Sequence, residues 1–175
     1  MKDNYLKNMG QAAMFIAIGL VLPFFTGQIP RIGNTLLPMH LPVFICGLLC
    51  GWKYGMGVGF VLPLLRSAVF GMPPLYPNAI AMAFELAAYG LVAGLLYGLS
   101  EKKDIKRLYL SLIIAMLAGR IVWGVAEVIL LKAAGNLFTW QMFMAGAFFN
   151  AIPGLILQLT LIPVIVTRIQ AARAD

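Results

Sequence analysis

The chain has 175 residues, of which 62% are hydrophobic and 11% charged, and its mean hydropathy is +0.92. Several apolar stretches approach the roughly 20 residues needed to cross a bilayer, which excludes an ordinary soluble domain and marks an integral membrane protein. The net charge of +7 does not call for nucleic acid, whose recognition would want a solvated basic face with interleaved aromatics.

Six candidate spans follow in chain order, at approximately 10–26, 37–50, 54–70, 77–99, 108–132 and 139–167. They predict an all-α membrane protein, a six-transmembrane-helix bundle forming a single integral membrane domain over residues 1–175. The connections are too short to hold a soluble domain.

The first span follows Lys2 and Lys7 like a secretory signal, but no small-x-small cleavage site precedes the next charge, so it is read as a retained helix. It contains "AMFIA", with Ala13 and Ala17 one turn apart on one face and Gly10 extending that face. Small residues at this spacing let another helix approach closely, whether from the same chain or from a partner.

The connection "GQIPRIGNTLLP" leads into "LLPMHLPVFICGLLCG", where the only histidine, His40, stands between Pro38 and Pro42. Cys46 and Cys50 share a helix face, offering neither a disulfide framework nor enough ligands for zinc, and are read as buried thiols; no metal site is expected. The turn "GWKYG" sets Trp52 and Tyr54 around Lys53 between two short spans, which implies a tilted or thin region. A second Pro/Gly-rich connection, "GMPPLYP", carries Tyr76.

Basic residues orient the chain. With both termini cytoplasmic, Lys2, Lys7, Lys53, Lys102, Lys103, Lys106, Arg107, Arg168 and Arg173 lie inside, and only Arg31 and Lys132 lie outside. The two Pro/Gly-rich connections are then external and together suit a lid.

Ionisable groups inside spans each cost a few kcal/mol or more unless they face protein, water or a partner. Four are present: Arg66, Glu85, Arg120 and Glu127. At about 1.5 Å rise per residue, Arg66, Glu85 and Glu127 lie within about 12 Å of the outer end, with Arg120 deeper. Arg120 and Glu127 share one face, with Trp123 near that stripe, and the last span adds Asn150 in "FFNAIPG" and Gln158 beyond it. Structural roles remain open at each position: ion pairs between Arg66 and Glu85 or between Arg120 and Glu127, a hydrogen-bonded His40, and interhelical bonding by Asn150. Convergence of these groups beneath two connections fits a small-molecule pocket.

The sequence holds no Gly-rich phosphate loop with Lys-Ser/Thr, no HExxH and no nucleophile with an available base. An enzyme is not expected, and neither is a cofactor.

The Ala-x-x-x-Ala of the first helix, the Pro-rich connection into "LLPMHLPVFICGLLCGWKYG", and "RSAVFGMPPLYPNAIAMAFELAAYGLVAGLLYG" together resemble the substrate-binding S component of an energy-coupling factor (ECF) vitamin transporter. The resemblance implies high-affinity capture of a water-soluble vitamin or related micronutrient outside the cell. It also implies partnership with a transmembrane coupling protein and two ATPase subunits in the plasma membrane of a prokaryote. On that basis Ala13 and Ala17 are candidate coupling-protein contacts and residues 28–36 a candidate gate. The depth estimate supplies Arg66, Glu85, Arg120, Trp123, Glu127 and Asn150 as substrate contacts, with His40 and Tyr76 added from their positions near the connections. Hydroxymethylpyrimidine, a B6 vitamer and a pantothenate-like carboxylate all suit such groups. The alternatives are an autonomous proton- or ion-coupled carrier and a scaffold with a structural polar core.

Overall fold

The computed structural model describes residues 2–25, 37–100, 103–147 and 149–174. Its helices are α1 (Lys2–Phe25), α2 (His40–Cys50), α3 (Trp52–Phe70), α4 (Ile80–Gly98), α5 (Ile105–Ala133), α6 (Trp140–Ala147) and α7 (Ile152–Ala174). Among the described residues there is no strand. Among the described residues, four segments are long and apolar enough to cross a membrane, namely Tyr5–Phe25, Leu75–Gly98, Ile105–Ala133 and Trp140–Ala172. The candidate gate at 28–36 lies outside the described residues.

Helix α2 explains its own odd start. A turn at Pro38 and Met39 precedes it, and the backbone N–H of His40 donates to the Leu37 carbonyl. His40 is the first helical residue, so Pro42 falls in the first turn, where a missing N–H leaves no intrahelical bond unmade. Eleven residues span only about 16 Å. All but Leu49 are buried, with apolar side chains around the whole circumference, so α2 is a core helix wrapped by its neighbours. Gly51, at φ 95°, then reverses the chain into α3 in the left-handed region that glycine tolerates best.

Helix α4 is the central element, packing against α2, α3 and α5. Its contact with α2 and α3 is a seam of glycines. A Cβ on Gly90 would strike the Gly55 backbone, one on Gly47 the Gly90 carbonyl, and one on Gly94 the Trp52 backbone. Small residues allow this approach, which maximises van der Waals contact where lipid supplies no hydrophobic drive between helices.

Helix α1 lies against α2 and α3, with Phe15 and Gly19 buried while Ala13 and Ala17 are exposed. The Cys50 thiol lies 3.4 Å from Gln11 Oε1 and donates to it, tying α1 to α2. Cys46 and Cys50 are both buried. The stretch expected to form the last span is built from α6, a 3-10 turn at Phe149–Ala151 and α7. Pro153 occupies the first turn of α7, so the break falls before it.

Candidate functional site

Three helices bring polar side chains together inside the bundle. The Tyr76 hydroxyl donates to the Leu130 carbonyl, fixing the start of α4 against the last turn of α5. Because α4 and α5 run in opposite directions, Glu85, nine residues beyond Tyr76, comes level with Arg120, ten residues before Leu130. Arg120 Nη1 is 2.8 Å from Glu85 Oε1. The Tyr89 hydroxyl, one turn along α4, donates to the same oxygen at 2.8 Å. From α2, His40 Nε2 stands 3.9 Å from Glu85 Oε1, beyond hydrogen-bond reach.

This cluster is well shielded: His40 is 1% exposed, Glu85 2% and Arg120 5%. It is also incompletely paired. Both ring nitrogens of His40, together with Nε and Nη2 of Arg120, are buried without a hydrogen-bond partner among the described residues. A buried donor or acceptor left unpaired costs about 1–3 kcal/mol, so four such atoms make this cluster the candidate site for a polar ligand. Glu127 is buried on the same face of α5, seven residues beyond Arg120. On α7, Gln158 is 1% exposed and its Nε2 likewise has no partner.

Rings frame one side of the cluster. The ring of Tyr89 lies 5.3 Å from His40 and 4.8 Å from Phe44, one turn further along α2. Gly119 makes room for it, since a Cβ there would collide with the Tyr89 ring. Tyr89 and Gly119 are the members that sequence reasoning missed. Their signals were the i, i+4 spacing of Tyr89 from Glu85 and the position of Gly119 next to Arg120.

The other candidate residues lie elsewhere. Arg66 on α3 donates to the Leu20 carbonyl of α1, and its guanidinium rests 5.0 Å from the Phe24 ring and 5.4 Å from Phe70. Of the ion pairs open in the sequence, neither Arg66 with Glu85 nor Arg120 with Glu127 appears; Arg120 takes Glu85 instead. Trp123 is half-buried, stacked with Phe143 at 6.2 Å and edge-on to Phe138 at 5.8 Å. Tyr76 is exposed apart from its bond to Leu130, and Asn150 is exposed in the 3-10 turn. A cavity of about 560 Å³ between α5 and α6 is lined by Val125, Val128, Ile129, Phe138, Trp140 and Phe143 among others, with none of His40, Glu85, Tyr89 or Arg120 in its walls. Its apolar walls and exposed position suit hydrocarbon better than a polar solute. Among the described residues no group of three His, Cys, Asp or Glu side chains is arranged to hold a metal ion.

The cluster can bind and orient a small polar molecule, but it has no nucleophile paired with a base. No curated protein and no solved structure matches the chain significantly. The family model for "ECF transporter, substrate-specific component" matches residues 7–166, nearly the whole chain. The protein therefore belongs to the family of substrate-specific components of ECF transporters, multi-pass membrane proteins that serve transport rather than catalysis.

Proposed function

We propose that this protein is the high-affinity binding subunit of an ECF importer for a water-soluble vitamin or related micronutrient. The observation that carries this is the convergence of His40, Glu85, Tyr89 and Arg120 from three helices with four buried polar atoms unpaired. In this reading six crossings place both termini in the cytoplasm of a prokaryotic cell, and the substrate enters from outside past the Tyr76 turn and Glu127. Trp123 and Asn150 belong to the rim above the cluster, and Arg66 holds α1. Ligand candidates are those with ring heteroatoms or a carboxylate for Arg120, such as a hydroxymethylpyrimidine, a B6-type or a pantothenate-like compound.

This chain supplies capture and selectivity, whereas a transmembrane coupling protein and two ATPase subunits supply energy. The exposed small-residue face of α1, with Ala13 and Ala17, is the proposed contact with the coupling protein. The test combines two measurements on the purified chain: a titration with water-soluble vitamins, and uptake into liposomes with and without the partners. Tight binding by the chain alone and uptake only with partners and ATP are expected. Gradient-driven uptake by the chain alone would replace this reading with an autonomous carrier.

A further inference from the structure

The guanidinium of Arg120 is divided in a way that points to the chemistry of its ligand. Its Nη1 is engaged by Glu85 at 2.8 Å. The two atoms left without partners, Nε and Nη2, form one side of the guanidinium plane and present parallel N–H groups. Such an edge matches two adjacent acceptors in one plane, as when arginine grips a carboxylate or the ring nitrogen and neighbouring oxygen of a nucleobase. Glu85 holds the group from one side, Tyr89 bonds the same carboxylate oxygen, and the ring of Tyr89 is seated against His40 and Phe44. The arginine is thus anchored with its second edge free of side-chain and backbone partners among the described residues.

Charge separates the two kinds of acceptor pair. Arg120 is already balanced by Glu85, and Glu127 adds a further acidic side chain on the same face of α5. With His40 in its neutral form, an anionic ligand would enter with no uncompensated positive charge to meet it, and poorly screened repulsion would oppose it. An uncharged ring edge meets no such opposition.

Building on the binding role proposed above, we infer that the Nε and Nη2 edge of Arg120 is the specificity-determining contact of the site. It reads two adjacent acceptors on an uncharged nitrogen heterocycle, and Glu85 is its positioning residue.

The full chain, purified in lipid nanodiscs as wild type, Arg120→Lys and Glu85→Gln, provides the test, with retained small molecules identified by native mass spectrometry. The wild-type ligand should carry two adjacent acceptors on one ring edge. Its Kd should rise about 10- to 100-fold in Arg120→Lys, which keeps the charge beside Glu85 but loses the fork. Glu85→Gln should shift selectivity towards carboxylates, an effect that loss of packing alone does not produce.

A retained ligand without such a pair, or an unchanged Kd in Arg120→Lys, overturns the inference while leaving the binding function intact. If nothing is retained, wild-type protein is titrated with cytosine, uracil and benzoate, a comparison that does not depend on any variant folding. Cytosine, which has a ring nitrogen beside its carbonyl, should bind more tightly than uracil or benzoate. No cytosine binding, equal binding or a benzoate preference overturns the inference. Failure of the wild type to bind any compound in a panel of water-soluble vitamins instead strikes the binding role itself.

Discussion

Two sides of α4 obey opposite packing rules. Towards α2 and α3, Gly90 and Gly94 bring backbone against backbone, with no space for one added carbon. Towards α5 and the start of α2, Glu85 and Tyr89 meet Arg120 and His40 in a cluster where several polar atoms have no partner. The first surface spends its small residues on closeness and gains contact along its length. The second leaves hydrogen-bonding capacity unused at a depth where unused capacity is costly. A rigid seam beside a polar cluster is how a helical bundle holds polar groups in fixed positions without relying on loops.

The largest effect should come from the seam. Gly90→Ala places a methyl group against the Gly55 backbone, where no side-chain rotation relieves the overlap. We expect a loss of about 3 kcal/mol or outright misassembly, seen as a lower melting temperature and an aggregated profile in size-exclusion chromatography. Normal stability would mean that the helices are not in direct backbone contact there. Next in size is Gly119→Ala, which intrudes on the Tyr89 ring and should turn its hydroxyl away from Glu85. Ligand affinity should fall about tenfold, the scale of one hydrogen bond to a charged group, with a smaller change in melting temperature. Equal affinity in calorimetric titration would remove Tyr89 from the site.

The sequence made the members of the cluster visible more readily than their pairing. Glu85, Arg120 and Glu127 stand out because a charge inside an apolar span needs a reason, and His40 because two prolines bracket it at a helix start. Which arginine meets Glu85 depends on the vertical offset between α4 and α5. That offset is set by the Leu75–Ala79 turn and by the Tyr76 bond to Leu130, neither of which leaves a periodic trace. Depth counting placed Arg120 below Glu85, whereas the turn brings them level. The glycines of the seam were equally plain as residues, but their mutual register is a tertiary property. The small-residue face of α1 was legible, since Ala13 and Ala17 at a four-residue spacing share one side of a helix.

Arg66 sharpens the contrast from outside both surfaces. Its bond to Leu20 and its seat against the Phe24 and Phe70 rings join α3 to α1, with no acidic partner among the described residues. Arg66→Met keeps the apolar stem and removes the charged head. A stability loss of about 1–2 kcal/mol is expected, comparable to one cation–π contact and one hydrogen bond, with ligand affinity changed by less than about threefold. A tenfold loss of affinity would place Arg66 at the substrate after all.

The smallest effect on binding should come from the exposed face of α1. Ala17 is exposed and faces away from the seam and the polar cluster, so Ala17→Leu adds apolar volume where lipid or a partner helix would lie. The isolated chain should keep its melting temperature and ligand affinity, because Ala17 is exposed and a larger side chain there displaces no core packing among the described residues. Uptake by the assembled transporter should nevertheless fall severalfold, because close helix approach tolerates small side chains and resists branched ones. Binding and uptake measured on the same preparation separate the outcomes. If both survive, the coupling contact lies on another face; if binding falls with uptake, α1 is coupled to the cluster more tightly than its packing indicates.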